Sequence, residues 1–276
     1  MSDMLRVALA QLNAGPDIAE NLKATEGFIR QAAAQGAQFI LTPENTCHIR
    51  VPATEKLKSS QPQEGHPVLL RFSELAKDLG VCLMAGSLSI RLSNGKMANR
   101  CFVFDANGDI VAKYDKIHLF DADLPTGESH RESAVFEPGR QAVTVETPWA
   151  KLGLAICYDL RFAALFRTLA KAGAQILTVP AAFTVPTGQA HWHTLLRARA
   201  IENGAFVLAP AQCGTHHGDR KTYGHSLIID PWGAVLAEGG DEPGVVIADL
   251  DLAAVAKARE SIPALRHDRP YTLIAS

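Results

Sequence analysis

A layered α/β fold is what this sequence predicts, and three observations predict it. Short apolar runs rich in β-branched residues alternate with stretches whose apolar residues recur at helical spacing. Turn sequences such as Asp105-Ala-Asn-Gly108 and Asp230-Pro-Trp-Gly233 lie between apolar runs, so antiparallel hairpins accompany the strand–helix alternation. No stretch turns Pro/Ser/Gly-rich or like-charged for long enough to act as a linker, which makes residues 1–276 one domain with a substantial core. Sheets covered by helices on their outer faces satisfy all three.

Taken in order, Leu5–Gln11 is an apolar run that reads as a strand. Asp17 to Gln35 follows as a helix carrying Ile18, Leu22, Phe28 and Ile29, and Phe39–Leu41 is a short strand that runs into Pro43. Pro67 to Leu79 is a second helix, with Leu70, Phe72 and Leu75. Val81–Gly86, Met97–Phe104 and Ile110–Lys116 are strands, the last two joined by the turn at Asp105–Gly108. Ala142–Thr147 and Lys151–Ile156 lead to a third helix, in which Phe162, Leu165, Phe166 and Leu169 fall at i, i+3, i+4 and i+7. Gln175–Pro180 is a strand, and Trp192, Leu195 and Leu196 begin another helical stripe. Ala205–Ala211, Ser226–Asp230 and Val245–Leu250 complete the strands.

Composition excludes several function classes. Formal charge is −2 and the 27 basic residues are scattered, so no basic stripe argues for nucleic acid. The apolar runs fall far short of the ~20 residues that span a bilayer, and Met-Ser-Asp-Met-Leu-Arg leads straight into a strand without the pattern of a secretion leader. Cys47, Cys82, Cys101, Cys157 and Cys213 are widely spaced, odd in number and without a Cys-x-x-Cys pair. That is the usage of a reduced, cytoplasmic chain, where a thiol nucleophile persists. No phosphate loop or dinucleotide fingerprint occurs, and no cofactor is expected.

Three polar residues fall at the ends of strands. Cys157 closes Lys151-Leu-Gly-Leu-Ala-Ile156 and precedes the third helix. Backbone N–H groups opening a helix favour a thiolate, and an inert apolar cysteine is the alternative on position alone. Glu44 follows Phe39-Ile-Leu-Thr-Pro43, and Lys116 ends Ile110-Val-Ala-Lys-Tyr-Asp-Lys116. Either charge alone would be an ordinary solvated group. His191 and His193, two residues apart, cannot share a helix face, which argues against a metal site there. His216 and His217, in the Gly-rich loop Cys213–Gly218, read as a solvated or substrate-proximal pair.

Taken together, Leu-Thr-Pro-Glu44, Tyr-Asp-Lys116-Ile-His-Leu-Phe and Gly-Leu-Ala-Ile-Cys157-Tyr-Asp-Leu-Arg-Phe resemble, in content and order, the three motif segments of the nitrilase superfamily of carbon–nitrogen hydrolases. The likeness runs from Val7-Ala-Leu-Ala-Gln11 to Tyr223-Gly-His-Ser-Leu-Ile-Ile-Asp-Pro-Trp-Gly233. It implies a four-layer α-β-β-α sandwich, a homodimer, and a metal-independent amidase with a Glu44–Lys116–Cys157 triad acting through a thioester. Cys157 would be the nucleophile and Glu44 the general base. Lys116, with the backbone N–H after Cys157, would meet the oxyanion. The family carries a second glutamate between the lysine and the nucleophile; of Glu128, Glu132 and Glu137, the surrounding words match best at Glu132.

Gly188-Gln-Ala-His-Trp-His-Thr-Leu-Leu-Arg-Ala-Arg-Ala-Ile-Glu202 and Ala209-Pro-Ala-Gln-Cys-Gly-Thr-His-His217 are similar to the amidase branch that includes deaminated glutathione amidase, with ω-amidases acting on α-ketoglutaramate or α-ketosuccinamate as the alternative. A non-catalytic scaffold on the same fold is the reading from outside enzymology, and a filled catalytic set argues against it. Both substrate classes are small amides with a carboxylate nearby. Arg161 is the expected anchor for that anion, with an ion pair to Asp159 as its structural alternative. Tyr158, Phe183 and Thr187 complete the expected substrate contacts.

Overall fold

Alternation along the strands sorts the core into layers. In the computed structural model of the protein, which describes residues 4–49, 52–125 and 127–275, the first sheet has the order β16-β1-β2-β3-β4-β5. These are Gly244–Asp251, Met4–Gln11, Phe39–Leu41, Cys82–Arg91, Met97–Phe104 and Ile110–Asp115. Val7 and Leu9, Phe39 and Leu41, Cys82 and Met84, and Cys101 and Val103 point toward the second sheet. Their neighbours Ala8, Ile40, Leu83, Phe102 and Phe104 point the other way, onto helices. A strand's period of two thus serves two interfaces at once.

Those helices are α1 (Ile18–Ala34) and α3 (Pro67–Leu79), with the short α2 (Ala53–Ser59) between them in sequence. Asp17 caps α1 by accepting from Glu20 N, and Gly80, in the left-handed region, ends α3. The buried face of α1 is Asn21, Thr25, Ile29 and Ala32, more polar than its apolar spacing predicts. Asn21 makes this possible by donating to the carbonyls of Gly15 and Cys47. Leu70 of α3 faces outward, against its expected role in the apolar face.

The second sheet has the order β15-β14-β11-β10-β9-β8: Val235–Glu238, Leu227–Ile229, Phe206–Ala209, Ile176–Thr178, Lys151–Leu154 and Val143–Glu146. Leu165, Phe166 and Leu169 of α4 (Ala163–Lys171) and Trp192 and Leu196 of α5 (Val185–Asn203) bury against it. The result is the α-β-β-α sandwich. Two small hairpins stand outside the sheets, β6–β7 (Asp121–Asp123, Ser129–Arg131) and β12–β13 (Cys213–Thr215, Lys221–Tyr223). A last helix, α6 (Ala253–Ser261), follows β16.

Strand direction positions the site. β1, β2 and β3 run parallel, as do β9, β10 and β11. β5 is antiparallel to β4, itself antiparallel to β3, so the carboxyl ends of β2 and β5 fall on one edge. Carboxyl ends of parallel strands are where α/β sheets bind ligands. Among the described residues no helix is long and apolar enough to cross a membrane.

Candidate active site

Glu44, Lys116, Cys157 and Glu132 converge on a cavity of about 660 Å³ at that edge. Lys116 is 2% exposed and its Nζ donates to Glu44 Oε1 at 2.9 Å and to Glu132 Oε2 at 2.8 Å. Asn99 of β4 ties the two carboxylates together, donating through Nδ2 to Glu44 at 2.8 Å and Glu132 at 3.0 Å. Backbone N–H groups finish the cage: Ala182 N donates to Glu44 Oε2 at 2.9 Å and Phe120 N to Glu132 Oε2 at 2.7 Å. Glu128, by contrast, is exposed and among the described residues its carboxylate meets His130, at 3.4 Å.

Close approach of the two sheets makes this convergence possible. A Cβ on Gly86 would fall on the carbonyl oxygens of Thr42 and Pro43 and on the Pro180 side chain, so only glycine lets the tips of β2 and β10 meet there. Gln212 then holds the Glu44 loop from the other sheet, donating to the carbonyls of Glu44 and Asn45 at 3.1 and 3.2 Å.

Cys157 lies at φ +48°, in the left-handed region that a β-carbon disfavours. A strained strand-to-helix corner exposes a nucleophile to a cleft, and such strain clusters at functional sites. A short 3₁₀ turn, Cys157–Arg161, separates the thiol from α4, which opens at Ala163 next to the first residue of its apolar stripe, Phe162. Asp159 locks that turn, accepting from Ile156 N at 2.9 Å, Tyr114 Oη at 2.7 Å and His118 N at 3.0 Å.

The electrostatics run opposite to the thiolate expectation. Burial and the Glu44 carboxylate push the Cys157 thiol well above its ordinary range, against the Lys116 charge, so the resting group is the thiol. Burial also works against ionised Glu44, but the Lys116 charge and hydrogen bonds involving Lys116, Cys157 and Asn99 outweigh it and hold the carboxyl down at about 2. Lys116, penalised by burial, is held well above the ordinary lysine range by Glu132, Glu44 and Cys157. A protonated thiol therefore faces an ionised carboxylate.

The four substrate contacts expected from the sequence fall outside the cavity lining. Tyr158 packs edge-on to Phe120, which does line it, with ring centroids 5.0 Å apart. Phe183 packs on Trp192, and Thr187 bonds Thr184 at the start of α5. The Arg161 guanidinium lies over the Phe183 and Tyr158 rings, 5.4 and 5.8 Å from their centroids, beside His191. Its alternative partner, Asp159, is fully buried and occupied by the bonds above. Cations reach the cavity from elsewhere: Lys56 of α2 and Arg220, before β13.

The histidines separate. His216 is buried between the Ala14 carbonyl (2.8 Å) and Thr222 Oγ1 (2.6 Å), and burial lowers it to about 4; His217 is exposed. His193 turns away from His191 toward His225 and Glu238, whose Oε1 accepts from both rings at 3.0 and 2.7 Å. Among the described residues these three form the group with metal-ligand spacing, within 4.8 Å of one another and outside the cavity. The even spacing of His191 and His193 conceals a cluster whose other members come from β15 and the β14 approach.

Residues 6–260 match the carbon-nitrogen hydrolase family. The chain belongs to that family. It is 41% identical to the deaminated glutathione amidase of Mus musculus over 269 residues, covering 96% of this chain and 83% of the relative. Human omega-amidase NIT2 is 37% identical over 264 residues, covering 96% of this chain and 95% of the relative. The crystal structure of the C. elegans NitFhit protein superposes with a TM-score of 0.89 at 35% identity, over 97% of this chain and 66% of that longer one. The protein is accordingly a carbon–nitrogen hydrolase, and its branch of the family is that of the amidases.

Proposed function

We propose that the protein hydrolyses a small carboxylate-bearing amide of the deaminated glutathione type through a Cys157 thioester. The observation that carries this reading is Lys116 clamped between Glu44 and Glu132 beside a protonated thiol. Glu44 takes the thiol proton as sulfur bonds the amide carbon. Lys116 and the backbone N–H of Tyr158 receive the oxyanion. Collapse breaks the C–N bond, and Glu44 returns the proton to the departing ammonia or amine. Water then attacks the thioester, giving its proton to Glu44, and sulfur leaves as the thiol with the free acid. Glu132 orients Lys116; Tyr158, Arg161, Phe183 and Thr187 support the pocket wall from behind.

The step sequence uses side chains and backbone alone, so activity is expected to survive chelation. Intact mass spectrometry of the enzyme with a slowly deacylating amide should show acyl mass on Cys157, and full activity in Cys157→Ala would sink the mechanism. Omega-amidase activity is the second reading, favoured by the human relative; comparing deaminated glutathione with α-ketoglutaramate decides between them. We also infer one catalytic domain in a reduced cytoplasmic setting, supported by the family match over residues 6–260 and five free cysteines. A homodimer is inferred as well, supported by exposed Ile201, Trp232 and Ile262 around an apolar groove.

A further inference from the structure

Two cations line the cavity without a carboxylate partner among the described residues. Lys56 is 6% exposed, donates to Asn45 Oδ1, and lies 5.8 Å from the centre of the Phe136 ring. Arg220 reaches the Ala182 carbonyl at 3.5 Å, and its Nε is buried with no hydrogen-bond partner. Among the described residues, the other guanidine and ammonium groups at this cavity have acids: Lys116 has Glu44 and Glu132, and Arg131 has Asp123.

A buried ammonium without a counter-ion is costly, and a second cation nearby makes it costlier. Both effects register on Lys56, where burial and then the Arg220 charge lower the group to about 7, against the smaller opposing pull of the Glu44 and Glu132 charges. The cage of Glu44, Glu132 and Lys116 carries one excess negative charge. Lys56 and Arg220, both protonated, bring the sum over these five described groups to one excess positive charge. A monoanionic ligand balances it and restores Lys56 to its charged form.

We propose that Lys56 and Arg220 form a carboxylate-binding subsite that selects amides whose acyl chain carries a carboxylate. The inference rests on the amidase reading above and names the feature of the substrate that this pocket reads. For a primary amide the leaving group is ammonia, so the anion must belong to the acyl side, which stays in the cavity as the thioester. Phe136 and Phe120, also in the lining, suit the methylene chain between the two ends.

The test compares glutaric acid monoamide with pentanamide, equal in acyl-chain length and differing in the terminal carboxylate. The wild-type enzyme should prefer the anion. Lys56→Met and Arg220→Gln should each lower kcat/KM for the monoamide by roughly ten- to a hundredfold, the weight of a lost charge-assisted hydrogen bond, with pentanamide little changed. Lys56→Arg should keep most of the preference. Equal losses on both amides would overturn the subsite and leave Lys56 as the support of Asn45 beside Glu44. A second measurement needs no variant of either cation: glutaric acid monoamide should bind the Cys157→Ala protein much more tightly than pentanamide does, and equal binding overturns the proposal. If the wild type hydrolyses neither amide, the catalytic reading fails, while monoamide binding to the Cys157→Ala protein still decides the subsite.

Discussion

Lys116 and Lys56 are both buried lysines on one cavity, and their surroundings push them in opposite directions. Lys116 stands between Glu44 and Glu132, which hold its charge against burial; Lys56 meets an amide oxygen, an aromatic ring and a nearby guanidinium, feels Glu44 and Glu132 only weakly and Lys116 against them, and burial wins. The difference teaches what each place in the cavity is for. On the proposals above, the charge that serves turnover is compensated by the protein, whereas the one that reads the substrate is left for a ligand to balance.

The strongest way to break this comparison is Lys116→Met. It should cost at least about 10²–10³ in kcat on anionic and neutral amides alike, since an oxyanion donor is lost. It should also destabilise the fold by about 3–5 kcal/mol, because Glu44 and Glu132 are left facing each other without their cation. Kinetics and urea denaturation check both, and a variant as stable as wild type would mean that the cage is not a balanced unit.

Glu132→Gln sharpens it. Glu132 is the largest influence opposing burial at Lys116, so its neutralisation should move the alkaline limb of the kcat–pH profile to lower pH, with kcat down by about tenfold or more. Glu128→Gln should leave both unchanged; an equal effect at the two positions would remove the special role of Glu132.

A smaller effect with the opposite sign is expected at Lys56. Its folded-state pKa of about 7 lies below the ordinary 10.5, so between those values the unfolded chain binds more protons and stability rises with pH. Removing the group abolishes that dependence. Lys56→Met should therefore melt higher than wild type at pH 7, by roughly 2–4 °C for each kcal/mol gained, with the advantage shrinking toward pH 10. A melting difference independent of pH would show that Lys56 is not an uncompensated charge.

The smallest effect is expected at Arg161. Outside the cavity lining and stacked on Phe183 and Tyr158, it should tolerate lysine with a modest, equal loss on anionic and neutral amides. A loss confined to the anionic amide would transfer the anchor from Lys56 and Arg220 to Arg161.

Strand-end grammar made Glu44, Lys116 and Cys157 legible, because a proline or a turn immediately after a short apolar run settles locally where a side chain emerges. The layered fold was legible for the same reason: periods of two and 3.6 are properties of a few consecutive residues. Lys56 had no such signal. In Thr-Glu-Lys-Leu-Lys it looks like any solvated helical lysine, and Arg220 in Gly-Asp-Arg-Lys looks like a surface turn. Their burial depends on α2 and the β12–β13 hairpin closing over an edge built from strands far away in sequence. Asn99, too, became a bridge between two acids only once β4 lay beside both.

The sequence by itself determined which residues could react, and in what order along the chain they would appear. Tertiary structure alone decided their protonation. Near a helix start a thiol reads as activated, yet in the folded protein Cys157 is held as the neutral thiol by burial and by Glu44, while Glu44 stays ionised beside Lys116. Charge–charge interaction and desolvation depend on distances and burial that no local pattern carries, and here they are set by two sheets meeting over Gly86.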